Sequence, residues 1–231
     1  MWRPAGAIAL TALLANPGPC SADRERERED MVATQVAARG VRDERVLAAL
    51  RRVPRHLFVP PSVAAQAYED YPLPIGHGQT ISQPYVVGFM TEALALHGGE
   101  TVLEIGTGCG YQAAVLAEVA ARVFTIEIVA PLAAEAAERL RRLGHAKVRV
   151  RAGDGYLGWP EEAPFDAIVV TAAAPRVPEP LLQQLRDGGR LILPVGEETQ
   201  DLVLVTRQGA RFEERRVLAV RFVPMTGKVR E

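Results

Sequence analysis

Apolar runs and helical patterns alternate through the middle of the chain. Apolar runs rich in valine and isoleucine predict strands at 102–105, 123–126, 165–171 and 190–194, and an alternating pattern predicts another at 147–151. Apolar positions at helical spacing predict helices at 85–96, 112–120, 131–143 and 178–185. This alternation predicts an α/β fold, a mostly parallel sheet with helices on both faces.

The two ends of this core have different patterns. Apolar positions within 31–50, interrupted by Gly40, predict two short helices in an N-terminal helical segment. Segment 68–83 has so many glycines and prolines that no regular element is expected there. Runs at 201–207 and 211–223 predict a C-terminal antiparallel hairpin. We therefore expect one domain at 23–231, made of a helical segment and loop (23–84), a core (85–196) and a hairpin (197–231).

Residues 1–22 differ from the rest of the chain. Arg3 precedes an apolar run at 5–15, a Pro-Gly break follows, and small residues end the segment. This order is typical of a secretory signal, and the apolar run is too short for a membrane span. The alternative is an unstructured leader, with the true start near Met31.

Composition excludes several classes of protein. The 231 residues are 48% hydrophobic and 24% charged, which is ordinary for a globular domain. A net charge of −1 gives no reason to expect nucleic acid as a partner. The two cysteines provide neither a disulfide framework nor the spacing of metal ligands, so no metal is expected.

The strand at 102–105 ends in three alternate glycines, Gly106, Gly108 and Gly110, and a helical pattern follows at once. Such a turn lets a ligand lie against bare main chain. Dinucleotide-binding folds place a third glycine where Tyr111 stands, and a P-loop needs a Lys-Ser/Thr pair that is missing here. The turn therefore predicts a nucleotide site of another kind.

Carboxylates follow the next two strands. Glu127 ends the second strand about twenty residues after the glycines, where an acid can accept both hydroxyls of a ribose. Asp154, between Gly153 and Gly155, follows the third strand and is expected at the adenine end. The competing interpretation is a tight turn with a surface glutamate.

The loop before the core concentrates polar side chains. His77, Gln79, Thr80 and Ser82 lie within six residues, and loops of this kind beside a ligand fold often carry chemistry. By spacing alone, Ser82 is equally suited to cap the helix that begins near Tyr85.

Several segments together resemble the protein-L-isoaspartate O-methyltransferase family. The Glu104–Gly110 pattern resembles the first motif of Rossmann-like S-adenosylmethionine methyltransferases, and 72–85 resembles the family's signature loop. Further similar segments follow in the family's order, at 52–59, 153–155, 163–168, 171–173, 188–196 and 221–226. The leader at 1–22 departs from the family.

The resemblance implies methyl transfer from S-adenosylmethionine to the free α-carboxylate of L-isoaspartyl residues in proteins and peptides. Ser82 would orient that carboxylate as the catalytic residue, and further substrate contacts would come from His77, Val223 and Thr226. A loop-stabilising role suits His77 equally well. The residues implied to bind the cofactor are Gln79, Thr80, Glu104, Gly106, Gly108, Glu127, Asp154 and Gly155.

The sequence also bears on other functions. The alternative is an S-adenosylmethionine-dependent methyltransferase that acts on another carboxylate or on a small molecule. A DNA-amino methyltransferase is disfavoured, because 171–175 lacks the Asn/Asp-Pro-Pro-aromatic motif. A dehydrogenase is disfavoured by Tyr111, and a non-catalytic binding protein by the presence of both Ser82 and Glu127. Cytoplasmic location is favoured by the need for S-adenosylmethionine, with export to the periplasm as the alternative, and a monomer without membrane partners is expected.

Overall fold

The computed structural model describes residues 21–230. The strands are β1 (Leu73–Gly76), β2 (Gln79–Ile81), β3 (Thr101–Ile105), β4 (Arg122–Glu127), β5 (Val148–Ala152), β6 (Phe165–Val170), β7 (Leu185–Val195), β8 (Gln200–Gln208) and β9 (Arg211–Val220). The α-helices are α1 (Ser21–Asp30), α2 (Glu44–Arg52), α3 (Pro84–Ala93), α4 (Tyr111–Val119), α5 (Ala130–Arg142) and α6 (Glu179–Gln183). Short 3-10 or π-helical segments cover Met31–Val36, Ala37–Arg39, Arg55–Leu57, Pro61–Gln66, Gly155–Leu157, Pro160–Glu162 and Lys228–Arg230.

Seven strands form the central sheet, in the order β5-β4-β3-β6-β7-β8-β9. The five strands from β5 to β7 in this order are parallel, and β8 and β9 run antiparallel at one edge. The predicted mostly parallel sheet and C-terminal hairpin are therefore confirmed. In a parallel sheet the carboxyl ends of neighbouring strands meet at one edge, so the segments that follow β3, β4 and β6 come together.

Successive side chains of the central strands enter two separate cores. Val102 and Val169 face a core built with α3, α4, α5 and the N-terminal helices. Leu103 and Ile168 face the opposite core, which contains Trp159 and Leu181 of α6. Burial on both faces explains why these strands are continuously apolar.

The N-terminal segment packs against the first of these cores. A helical stretch runs from α1 through Arg39 and stops at Gly40, whose φ of +102° is left-handed. The next helix, α2, begins after Asp43, which accepts a hydrogen bond from the Arg45 N–H at 2.9 Å as the N-cap. The prediction of two helical stretches divided near Gly40 is confirmed.

The expectation that 68–83 contains no regular element was wrong. Strands β1 and β2 form a two-stranded antiparallel hairpin there, with alternating burial along β1. The tip, 76–78, has positive φ at all three residues, so the glycines make the turn and do not interrupt the strands. This hairpin carries the polar residues of the loop into the fold.

Two boundaries were also wrong. Helix α6 spans only five residues, and β7 begins at Leu185, so Gly188 and Gly189 lie within the strand. The pairing of β6 with β7 shifts register between Phe165 and Ala167, which accommodates the extra residues as an irregularity.

The predicted leader at 1–22 falls almost wholly outside the described residues, so its nature stays a prediction. Within 21–230, no helix is long and apolar enough to cross a membrane.

Candidate active site

The glycine turn after β3 is shaped by its contact with the end of β6. Gly106 has a φ of +95°, and a Cβ there would lie 2.4 Å from the Thr171 hydroxyl oxygen. That hydroxyl donates to the carbonyl of Gly106 at 2.6 Å. Only glycine allows both this backbone conformation and this approach.

The carboxylate of Glu127, at the end of β4, holds the turn from the other side. Its Oε2 accepts the Gly108 N–H at 2.8 Å, and its Oε1 accepts the Val129 N–H at 3.0 Å. The side chain is only 5% exposed. Each carboxylate oxygen keeps a second lone pair, so Glu127 can still accept hydrogen bonds from a ligand.

Above this turn lies a cleft of about 590 Å³, which we call the glycine cleft. It is lined by Gln79, Gly106, Gly108, Glu127, Gly155 and Thr226, among others. It thus brings together the carboxyl ends of β3 and β4, the loop after β5 and the segment after β9.

A second cleft of about 590 Å³ adjoins it, which we call the serine cleft. Its lining includes Arg39, Ser82, Tyr85, Arg221, Phe222 and Val223. Thr80, Thr171 and Val223 line both clefts. A smaller space of about 330 Å³ is lined by Ser82 together with Gly106 and Gly108, so the serine lies beside the glycine turn.

Ser82 does not cap helix α3. The N-cap position is occupied by Gln83, whose side chain makes no capping hydrogen bond, and Pro84 begins the helix. Ser82 is half-buried, and among residues 21–230 no hydrogen-bond partner of its hydroxyl is found. The hydroxyl is therefore available to a ligand in the serine cleft.

Three predicted site residues line neither cleft. His77 lies at the hairpin tip, with its Nε2 atom 3.9 Å from Oε1 of Glu135 on α5. Asp154 accepts the N–H groups of Tyr156 at 2.9 Å and Lys228 at 2.8 Å, which fixes the backbone next to Gly155. The third, Glu104, lies beneath the glycine turn.

Glu104 is fully buried within the sheet. Its Oε2 accepts the Thr125 hydroxyl at 2.5 Å, whereas Oε1 has no partner among the described residues. Burial raises the pKa of Glu104 to about 8; the Thr125 hydrogen bond opposes this rise, and the nearby Glu127 carboxylate adds to it. The side chain is therefore largely neutral near pH 7.

Sequence reasoning gave no role to several residues that line the clefts. Thr171 directly follows β6, which lies beside β3, so the strand order alone could have placed it at the glycine turn. Arg39 and Arg221 come from opposite ends of the chain, and only the folded structure brings them to one cleft. Within the described residues, no cluster of three or more potential metal ligands is found.

Together, the strand order, the glycine turn and the acid after β4 define a Rossmann-like nucleotide-binding site of the methyltransferase type. The family model for protein-L-isoaspartate(D-aspartate) O-methyltransferase (PCMT) matches residues 26–230. The chain belongs to this family.

Individual relatives agree with this assignment. The chain is 56% identical over 218 residues to protein-L-isoaspartate O-methyltransferase 2 of Shewanella sediminis, covering 94% of this chain and 89% of the relative. A solved protein-L-isoaspartate O-methyltransferase superposes with a TM-score of 0.80 at 32% identity, covering 87% of this chain and 67% of the other. A Plasmodium falciparum structure, described as a putative member in complex with S-adenosyl-L-homocysteine, gives a TM-score of 0.75 at 26% identity, covering 86% and 98%.

Gly106→Ala is expected to destabilise the fold by about 1–3 kcal/mol, because the new Cβ adds a clash with Thr171 to backbone strain. Thermal unfolding measures this. Gly98→Ala is the matched control: its φ of +107° gives similar strain, but no atom lies within 4 Å of a Cβ there. Equal losses in the two variants would show that the contact with Thr171 is unimportant.

Glu104→Gln is expected to change how stability depends on pH. Because the folded pKa of about 8 lies above the ordinary value of 4.5, the folded protein retains a proton that the unfolded chain releases between these values. The contribution of Glu104 to the free energy of unfolding therefore falls as pH rises from 5 to 8, by up to about 1.4 kcal/mol per unit. Denaturant titrations without ligand should show wild type losing stability relative to the variant over this range; parallel curves would contradict the assigned pKa.

Proposed function

We propose that this chain transfers the methyl group of S-adenosylmethionine to the free α-carboxylate of L-isoaspartyl residues in damaged proteins and peptides. One observation carries the proposal: a cleft built on a glycine turn and an acid adjoins a cleft with an available serine hydroxyl, and Thr80 and Thr171 line both. Such an arrangement brings a donor and an acceptor together at one point.

The glycine cleft fits the donor. Bare main chain at Gly106 and Gly108 lets the methionine part approach closely, and the remaining lone pairs of Glu127 accept the ribose hydroxyls. Gly155 lies at the adenine end, where Asp154 fixes the backbone. Gln79 and Thr226 close the sides of the same cleft.

Glu104 contributes from below the turn. Its unpartnered Oε1 is a buried acceptor, and a buried polar group without a partner is costly. A positively charged ligand above the turn would favour the ionised carboxylate. We propose that Glu104 supports the donor through the turn and not by direct contact.

The serine cleft fits the acceptor, with Ser82 as the catalytic residue. An α-carboxyl group titrates near pH 3.5, so the acceptor is ionised at neutral pH and needs no general base. The protein must align the oxygen with the methyl carbon at about 3 Å. A neutral hydroxyl orients the carboxylate without the strong ground-state stabilisation that a bidentate arginine would give.

Thr171 has a different role. Its hydroxyl donates to the backbone carbonyl oxygens of Gly106, at 2.6 Å, and Ile105, at 3.1 Å. It therefore shapes the junction of the two clefts, whereas Ser82 is the donor available to the acceptor. After transfer, the backbone nitrogen of the following residue attacks the ester carbonyl, methanol leaves and a succinimide forms without further help; addition of water then returns some normal aspartate.

Matched peptides with a normal or an isoaspartyl linkage test the function. The protein is incubated with each peptide and methyl-tritiated S-adenosylmethionine, and methanol released by base is counted. Release from the isoaspartyl peptide alone supports the proposal. Equal release from both peptides would favour a methyltransferase for another carboxylate, and no release from either would overturn the proposal.

The cellular setting is part of the same proposal. Residues 23–231 act as one methyltransferase domain, with isoaspartyl-containing proteins as partners. The need for S-adenosylmethionine favours the cytoplasm over the periplasm. We propose that the chain acts as a monomer.

A further inference from the structure

The serine cleft carries more positive charge than the proposed reaction requires. Arg39 lines one wall and Arg221 another. Among the described residues that line this cleft, none is aspartate or glutamate. The reacting carboxylate is already assigned to Ser82, so the proposed reaction gives neither guanidinium group a role in binding the substrate.

Arg39 is held in place at the cleft. Its guanidinium carbon lies 3.6 Å from the centroid of the Tyr85 ring, and its Nη1 lies 2.8 Å from Oδ2 of Asp70. Its side chain nevertheless stays 44% exposed. Stacking and the ion pair reduce the rotamer freedom that a flexible arginine would lose on binding.

Arg221 is the less compensated charge. It is exposed, and no carboxylate of residues 21–230 forms an ion pair with it. Glu197 lines an adjoining space with Arg221 but does not pair with it. The backbone on its C-terminal side is fixed, because the Phe222 N–H donates to Gln200 at 2.6 Å and the Val223 carbonyl accepts from Ala173 at 2.8 Å.

We propose that the serine cleft prefers isoaspartyl peptides that carry a second carboxylate close to the isoaspartyl residue, with Arg221 and Arg39 as its specificity-determining residues. This inference rests on the proposed function. The second carboxylate pairs with a guanidinium while the first reaches Ser82. Because both arginines are partly solvated, the gain is modest, about three- to tenfold in kcat/KM.

Two peptide series test the preference. Each peptide contains one isoaspartyl residue and one glutamate, moved in turn through the three positions on either side, and its partner has glutamine at that position. The ratio of kcat/KM for each Glu and Gln pair is measured for wild type, Arg221→Gln and Arg39→Gln. Arg211→Gln is the matched control, since it removes the same charge at the opposite end of β9 and does not line the cleft.

Wild type should show a ratio of about three to ten at one or more positions, arising mainly in KM and falling as salt is added. Arg221→Gln should bring that ratio close to one, Arg39→Gln should lower it, and Arg211→Gln should leave it unchanged. Ratios at or below one at every position in wild type would overturn the inference, as would ratios equally high in Arg221→Gln and Arg39→Gln. Failure of the proposed function is a separate result, in which neither glutamate nor glutamine peptides accept methyl groups.

Discussion

Replacing Ser82 by alanine is expected to lower kcat for isoaspartyl peptides by about 10- to 100-fold and to leave the affinity for S-adenosylmethionine within about twofold. The hydroxyl is available in the serine cleft and lies beside the glycine turn. A hydrogen bond to a charged group contributes about 1.5–3 kcal/mol, which corresponds to this loss of rate if it is realised in the transition state. Single-turnover kinetics and calorimetry separate the two effects.

Ser62→Ala is the matched control, because Ser62 is exposed in the short helix Pro61–Gln66 and lines neither cleft. It should behave as wild type. A Ser82→Ala enzyme with unchanged kcat would contradict the assigned role. So would a variant whose main defect is weaker cofactor binding.

Replacing Glu127 by glutamine is expected to weaken binding of S-adenosylmethionine by about 10- to 100-fold, before any effect on peptide binding. The carboxylate organises the turn through Gly108 and Val129 and faces the glycine cleft. An amide keeps one acceptor and places an NH₂ group against a backbone N–H. The lost charged hydrogen bonds account for about 1.5–3 kcal/mol. Calorimetric titration with S-adenosylmethionine and with S-adenosylhomocysteine measures the change.

Glu135→Gln is the control for charge, since Glu135 is exposed on α5 and lines neither cleft. It should bind the cofactor as wild type does. If Glu127→Gln bound the cofactor normally and instead raised KM for the peptide, the roles given to the two clefts would have to be exchanged.

The central strands β3, β4 and β6 could be predicted because they are buried on both faces. Such strands are continuously apolar, and their boundaries are marked by Gly106 and Glu127, so pattern alone located them. The acid and the glycines were found for the same reason: Glu127 is the last residue of β4 and Gly106 directly follows β3, and both strands end at the same edge of the sheet.

The hairpin β1–β2 could not be predicted from the composition of its segment. By composition, Gly76 and Gly78 indicate a break in regular structure. In the fold, their positive φ angles make the turn between the two strands. The prediction made helix α6 too long and started β7 too late. Gly188 and Gly189 indicate a break between helix and strand, but β7 begins at Leu185 and continues through both glycines. In both cases strand pairing, of β1 with β2 and of β7 with β6, outweighs the local propensity of the glycines.

Much of the lining of the serine cleft could not be predicted from the sequence. Arg39 and Arg221 are separated by most of the chain, and no spacing rule connects them. Thr171 became visible as a junction residue only when β6 was placed beside β3. By contrast, Ser82 was found through a local motif, and the structure then excluded its alternative role as a helix cap.

A crystal structure with S-adenosylhomocysteine and an isoaspartyl peptide tests the central claim most directly, that two adjoining clefts align donor and acceptor. We expect the sulfur in the glycine cleft, the α-carboxylate hydrogen-bonded to Ser82, and one carboxylate oxygen within about 3 Å of the place where the methyl carbon would be. A peptide carboxylate bound away from Ser82, with no line of approach to the sulfur, would contradict it.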